Sequence, residues 1–353
     1  MTPDARVQAA IANWAPRFTS QGVDYNDFVG TARDLVHWDD WLDAWCATGD
    51  MHVALAREAE GQGRSLTAGE AWVRAALAYH FAKFVWMLDM DRYRAAADAA
   101  VQSLLAAHRH LDPGAERLQM AMGDVMLYGN LRRPTGMQRP PLVVLLPGLD
   151  STKEEFFHWE NNFLKRGLAT LSLEGPGQGE TGYETHIRPD YEVAVAAALD
   201  VLEGRMDLDM DRVGLVGVSL GGYYAPRAAA FEPRIKAVSP IGGPYNFGDC
   251  WDQLPSITRE TFLHHAGAAD DAEGKEMASQ LNLEGVAERI TQPMLIVFGK
   301  RDRLIPSQHA ERLADEAPGA TLRMYEEGNH VCNNIPYKYR PLVGDWMHEQ
   351  LAR

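Results

Sequence analysis

The chain has 353 residues, 46% of them hydrophobic and 24% charged, enough to bury one full core and to support a second. Its formal net charge of −15, with no Lys/Arg cluster to offset it, argues against a nucleic-acid or anionic-membrane partner. The longest uncharged apolar stretch, Pro140 to Leu149, is about half the roughly 20 residues a membrane helix needs, the opening MTPDARVQAAIANW carries an aspartate where an export signal is basic, and Cys46, Cys250 and Cys332 lie far apart; these features predict a cytoplasmic protein with reduced thiols.

From Pro3 to about Leu111 apolar residues recur at helical spacing and β-branched runs are absent, which predicts an almost wholly helical N-terminal domain over residues 1–112. Its best-marked element opens at Thr67-Ala68-Gly69-Glu70, where threonine and glutamate have capping-box spacing. Trp72, Ala75, Ala76, Tyr79, Ala82 and Trp86 then share one face, a stripe read as core packing in preference to a ligand wall. A second helix over about 91–109 completes a hairpin, and no further copy at a fixed period suggests a superhelical repeat.

After Asp112-Pro113-Gly114 short β-rich runs alternate with amphipathic helical stretches, the pattern of an α/β fold with a mostly parallel sheet covered by helices, here over residues 113–353. Strands are expected at Val125–Leu131, Leu142–Leu146, Ala169–Leu173, Val213–Val218, Ile235–Ser239, Met294–Phe298 and Thr321–Tyr325. Helices are expected near Glu154–Arg166, Tyr191–Gly204, Gly221–Phe231, Ser307–Glu316 and Tyr339–Ala352. Between Gly242 and Ile290 no strand is evident, and a helical insertion over about 244–290, of a length usual for a lid or binding segment, is predicted.

Inside that domain Gly217-Val218-Ser219-Leu220-Gly221 is a G-x-S-x-G pattern between an apolar strand and an alanine-rich helix. A serine at the tip of a tight strand-to-helix turn stands exposed, and glycines beside it leave room for neighbouring backbone. Its hydroxyl is a poor nucleophile until a base takes its proton and an acid orients that base. Asp302, directly after the strand Met294–Phe298, and His330, just after Thr321–Tyr325, follow in the order Ser, Asp, His of the α/β-hydrolase arrangement. Taken singly, Asp302 reads equally as a turn aspartate and His330 as a satisfied loop histidine, whereas the strand–turn–helix context already favours Ser219 as a nucleophile; together the three point to nucleophilic catalysis. The oxyanion donors are expected to be the amides of Leu220, after the nucleophile, and Leu149, in the loop Pro147-Gly148-Leu149-Asp150.

Gly177-Gln178-Gly179-Glu180-Thr181-Gly182 also fits the dinucleotide-binding fingerprint. The next helix is expected only near Asp190, too late to set its N-terminus against a pyrophosphate, so no nicotinamide or flavin cofactor is expected. His264 and His265 are adjacent and diverge on a helix, and His108 and His110 lack carboxylates close in sequence, so no metal is expected either.

Three stretches together, Leu146-Pro147-Gly148-Leu149-Asp150-Ser151-Thr152-Lys153-Glu154-Glu155, Leu173-Glu174-Gly175-Pro176-Gly177-Gln178-Gly179-Glu180 and the Ser219 turn, resemble one branch of the α/β-hydrolases. That branch holds 2,6-dihydroxypseudooxynicotine hydrolase, fungal hydrolases that shorten polyketides, and esterases related to the fermentation-respiration switch protein. The resemblance covers nearly the whole chain. It implies a Ser219–Asp302–His330 triad, a cleft roofed in part by the helical domain, a small-molecule substrate and a homodimer. The reaction it implies is hydrolysis of a carbon–carbon bond beside a ketone in a small aromatic or polyketide-like compound. Carboxylester hydrolysis, which uses the same parts, is the alternative, and a non-catalytic binding protein on the same fold is the third reading. The family reads aspartate where this chain has Glu174, a departure expected to touch the cleft wall and not the triad. An auxiliary catalytic carboxylate is sought in the insertion, with Glu260 first and Asp252 and Asp249 behind it; each reads more readily as a solvated surface acid.

Overall fold

The computed structural model describes residues 4–352, and the chain folds as two compact units. The helical unit takes the chain up to Ala115 together with Glu154–His158 and Pro255–Thr261. Its helices are α1 (Ala5–Gln21), α2 (Tyr25–Ala32), α3 (Trp41–Gly61), α4 (Ser65–Ala82) and α5 (Met90–Leu111). Asp4, Asp24 and Asp89 cap α1, α2 and α5, each carboxylate accepting a free N–H of the first turn. The apolar faces meet in an aromatic core in which Phe18 stacks on Phe81 at 3.9 Å, Trp45 packs beside it and Trp14 meets Phe84 edge-on. The indoles of Trp41 and Trp86 donate to the carbonyls of Phe81 and Trp38, so these two rings are buried with their N–H groups satisfied.

The capping box does not form. Helix α4 begins at Ser65, two residues before Thr67, and no side chain caps it. Packing of the hairpin decides the start: Gly69 lies against α5, where a β-carbon would come within 2.5 Å of Leu111, and the Ser65 hydroxyl meets His110 Nδ1 at 3.0 Å. The aromatic stripe is core in Ala75, Ala76, Tyr79, Ala82 and Trp86, all buried, whereas Trp72 is only partly buried and donates to Glu60 at 2.8 Å; Trp86 lies beyond the end of α4.

One buried charge cluster organises this unit. Arg17 grips Glu155 in a bidentate pair, both bonds 2.7 Å, and His80 Nε2 lies 3.2 Å from the same carboxylate. Burial alone would raise the Glu155 pKa, but the Arg17 charge and its paired bonds outweigh it and hold the carboxyl well below the usual range. For His80 the balance runs the other way: burial, with Lys83 nearby, outweighs the attraction of Glu155, so the imidazole pKa is lowered and the ring is neutral.

The second unit carries strands β1 (Glu116–Met122), β2 (Val125–Arg132), β3 (Pro141–Leu146), β4 (Ala169–Glu174), β5 (Asp209–Val218), β6 (Ile235–Ile241), β7 (Met294–Gly299) and β8 (Ala320–Tyr325). They form one sheet in the order β1-β2-β4-β3-β5-β6-β7-β8, antiparallel at β1-β2-β4 and parallel from β4 onward. The interior strands β3, β4 and β7 are buried along their whole length, as expected where both faces of a parallel sheet are covered. Helices α6 (Phe157–Leu164), α7 (Glu192–Leu202), α8 (Gly221–Phe231), α9 (Ser256–Ala266), α10 (Asp271–Gln280), α11 (Gln308–Glu316) and α12 (Pro336–Leu351) complete the chain. This is the α/β-hydrolase fold.

Strand β1 has no counterpart among the elements expected from sequence. Its residues, Glu-Arg-Leu-Gln-Met-Ala-Met, are helix formers without a β-branched member; pairing with β2 across the two-residue turn at Gly123 and Asp124 overrides that preference. The segment expected as one helix over Glu154–Arg166 opens instead as a 3₁₀ turn, Lys153–Phe156, before α6. Between β6 and β7 the chain is helical, with α9, α10 and two 3₁₀ turns, and its one bridge joins Asn246 to Asn282. Among the described residues no helix is long and apolar enough to cross a membrane.

Candidate active site

Strand β5 delivers Ser219 to the turn before α8 at φ = 54°, a left-handed conformation that a non-glycine residue adopts only when its surroundings impose it. The turn is pinned on both sides: Ser219 N–H donates to Ile241 O at 2.9 Å, and Ser219 O accepts from Gly222 N–H at 2.7 Å. Crowding explains the glycines. A β-carbon on Gly217 would lie 1.9 Å from the Gly221 carbonyl oxygen, and one on Gly221 would lie 2.2 Å from that of Leu146.

His330 Nε2 lies 3.0 Å from Ser219 Oγ, and His330 Nδ1 lies 2.7 Å from Asp302 Oδ2. The three residues expected from sequence thus come together in one hydrogen-bonded line. The Asp302 side chain is wholly buried, and its other oxygen accepts the backbone N–H groups of Leu304 at 2.9 Å and Ile305 at 3.0 Å, so every direction of the carboxylate is fixed. With Nδ1–H committed to Asp302, Nε2 is left as the acceptor that faces the serine hydroxyl. The loop behind the imidazole is strained, since Val331 (φ 57°) and Cys332 (φ 54°) are both left-handed, and it is braced by reciprocal bonds between Asn329 and Asn334.

The loop after β3 runs beside the serine. A β-carbon on Gly148 would stand 3.0 Å from Ser219 Cβ and 3.1 Å from the Val218 carbonyl, an approach only glycine permits without a shift. The N–H groups of Leu149 and Leu220 meet no acceptor among the described residues, which leaves both available to a ligand. Glu174, the position that departs from the family pattern, is buried behind this loop; its carboxylate accepts from Lys153 Nζ at 3.0 Å, from Lys153 N at 3.1 Å and from Glu180 N at 3.0 Å.

Sequence reasoning gave Gln178 no role of its own, quoting it only as part of a glycine-rich fingerprint and of a stretch that carries the family resemblance. Its side chain donates to Pro147 O at 2.7 Å and Gly148 O at 3.0 Å, and accepts from Gly175 N at 3.0 Å and Tyr191 Oη at 2.7 Å. The available signals were its place in a glycine-rich turn after strand β4 and in the second of the three stretches that carry the family resemblance. The helix after this turn, α7, starts at Glu192, ten residues past Gly182.

The three candidates for an auxiliary acid lie at exposed positions. Glu260 is exposed on α9, with Arg6 the basic group that feels its charge. An exposed carboxylate surrounded by water has no advantage as a proton donor to a departing carbon. Asp252 is exposed and paired with Lys275 at 2.8 Å, and Asp249 is exposed as well. All three have the setting of surface acids.

The family described as esterase FrsA-like matches residues 20–352. The 2,6-dihydropseudooxynicotine hydrolase of Paenarthrobacter nicotinovorans is 33% identical over 100% of this chain and 95% of its own length. A crystal structure of a 2,6-dihydroxy-pseudo-oxynicotine hydrolase is similar at a TM-score of 0.88 and 32% identity, covering 96% of each chain. The 20-hydroxy-prefusarin hydrolase FUS2 of Gibberella moniliformis is 33% identical over 64% of this chain, which spans 57% of that longer protein.

Proposed function

The chain belongs to the FrsA-like esterase family and is an α/β-hydrolase enzyme, and from that premise we propose that it is a serine hydrolase that cleaves a carbon–carbon bond beside a ketone in a small aromatic or polyketide-like compound. The observation that carries the reading is the line Asp302–His330–Ser219, with its 2.7 and 3.0 Å links, at a strained strand-to-helix turn. Ser219 Oγ attacks the carbonyl carbon while His330 Nε2 takes its proton, and the amides of Leu149 and Leu220 hold the oxyanion. Collapse breaks the bond to the leaving carbon, which departs as an enolate or electron-rich ring carbanion and takes the proton from His330. Water, deprotonated by His330, then releases the acid from Ser219.

The carbon–carbon reading draws support from the 33% identity, along the full chain, to a hydrolase named for 2,6-dihydropseudooxynicotine, in keeping with the family resemblance read from the sequence. The family's description as esterase favours the second reading, hydrolysis of small esters by the same residues with an alkoxide leaving. A fluorophosphonate probe tests the nucleophile: it should label the parent enzyme and not Ser219→Ala, and labelling of both would remove Ser219 from the mechanism. The ratio of kcat/KM for a β-diketone or acylphenol to that for a matched ester tests the bond. A ratio above one is expected, and inert ketones beside well-hydrolysed esters would make the enzyme a carboxylesterase. Homodimerisation belongs to the same proposal, and sedimentation should return twice the mass of one chain.

A further inference from the structure

We infer that Gln178, held by Tyr191, is the positioning residue that locks the oxyanion-binding amide of Leu149 toward Ser219. The inference rests on the serine-hydrolase reading above and concerns the same site.

Gln178 is 2% exposed and its primary amide is saturated: both N–H groups and both lone pairs of the carbonyl oxygen are engaged, the full capacity of the group. The orientation follows from the partners. Two backbone carbonyls face the nitrogen and two donors, Gly175 N–H and Tyr191 O–H, face the oxygen; the flipped amide would oppose like with like at all four contacts.

One of those carbonyls is that of Gly148, and its peptide partner is the N–H of Leu149. No peptide bond among the described residues is cis, so this N–H points away from the carbonyl it shares a plane with. Gln178 pulls on the carbonyl from one side and thereby fixes the N–H on the other, where the Gly148 backbone passes Ser219. The restraint matters because glycine lets its flanking peptide planes rotate at little cost, and the close approach to Ser219 demands glycine there. Donation to the carbonyl also polarises the peptide unit, making the Leu149 N–H a stronger donor to a developing negative charge. Tyr191 completes the device. It is wholly buried, stacks on Tyr224 of α8 with ring centres 4.0 Å apart, and so ties the glutamine to the helix that starts at the nucleophile.

The test uses Gln178→Met, which keeps the length and removes all four bonds, and Tyr191→Phe, which removes one bond and keeps the ring stack. Both are compared with the parent in ester turnover, in thermal unfolding and in affinity for a trifluoromethyl ketone, whose hemiketal with a serine places an oxyanion in the same site. Deleting a whole oxyanion donor costs about 10²–10³ in kcat, so loosening one predicts a loss of about 10–100-fold for Gln178→Met and a smaller loss for Tyr191→Phe. KM should stay within about twofold, and trifluoromethyl ketone affinity should fall in proportion to kcat. If Gln178→Met does not fold, Tyr191→Phe decides. Folded variants that keep kcat within about twofold overturn the inference, as does a kcat loss with unchanged ketone affinity, which would mark a merely structural part. Ser219→Ala, run in parallel, separates the two levels: if it still turns over the ester, the serine mechanism itself fails whatever Gln178 does.

Discussion

Replacing Asp302 with asparagine changes one atom and should cost far more than that change suggests. The reason lies in the two backbone donors on Asp302 Oδ1, Leu304 N–H at 2.9 Å and Ile305 N–H at 3.0 Å. An asparagine must turn its carbonyl oxygen to those donors, since its NH₂ would oppose both. That leaves the NH₂ group against His330 Nδ1, at the position where Oδ2 now sits 2.7 Å away. The NH₂ donates, so Nδ1 must accept, and the imidazole proton moves to Nε2. Nε2–H then faces Ser219 Oγ and cannot take its proton. The wrong tautomer is therefore enforced by the fold, and a loss of about 10⁴ in rate, about 5.5 kcal/mol of barrier, is expected at neutral pH. The assay needs no knowledge of the substrate: the second-order rate of Ser219 labelling by a fluorophosphonate should fall with ester turnover, while the unfolding temperature changes little. An Asp302→Asn enzyme that labels within tenfold of the parent would refute the tautomer argument.

Glu260→Gln should alter ketone and ester cleavage by less than about twofold, because the side chain is exposed; a selective loss of ketone cleavage would restore it as a proton donor. Arg17→Met strands the buried Glu155 carboxylate and should destabilise the fold by about 3–5 kcal/mol in denaturant unfolding, with a loss under 1 kcal/mol contradicting the cluster's role. Acid should act on the same cluster in two stages. His80 has a lowered pKa, so stability is full above its unfolded value near 6.5 and falls below it by up to about 1.4 kcal/mol per pH unit as the unfolded chain takes up the proton; Glu155, also lowered, keeps its contribution above about pH 4.5 and loses it on further acidification. His80→Gln should remove the first stage in unfolding curves taken from pH 7 to 5, and an unchanged slope there would place the titration elsewhere. Removal of residues 1–112 takes Arg17 and His80 from Glu155 and uncovers Phe157, so the remainder should be insoluble; a soluble, fully active truncation would show that inference wrong.

Much of the site is legible along the chain because its parts are local. A strained serine turn needs glycines two residues to either side, and an acid and a base at the ends of parallel strands fall at predictable points after β7 and β8. The contrast between a helical first third and an α/β remainder is likewise a matter of periodicity, which neighbouring residues carry by themselves. The errors fall where distant segments compete. Strand β1, of helix-forming residues and given no element from sequence, forms only because β2 offers it a hydrogen-bonding edge, and α4 starts at Ser65, where α5 packs on Gly69, whatever Thr67 and Glu70 could have capped.

What the sequence by itself determined was the identity and order of the candidate residues, Ser219, Asp302 and His330, since side chains able to act as nucleophile, acid and base are recognisable by type and spacing. Which surroundings those residues have was decided only by the tertiary structure. Gln178 lies about 30 positions from Pro147 and Gly148, and nothing local to either segment reveals that one amide will satisfy both carbonyls. Glu260 is as acidic in sequence as any catalytic carboxylate, and only its exposure assigns it to the surface. Hydrogen bonds and burial are properties of segments brought together by folding, whereas the capacity to attack, donate or accept a proton belongs to the side chain from the start.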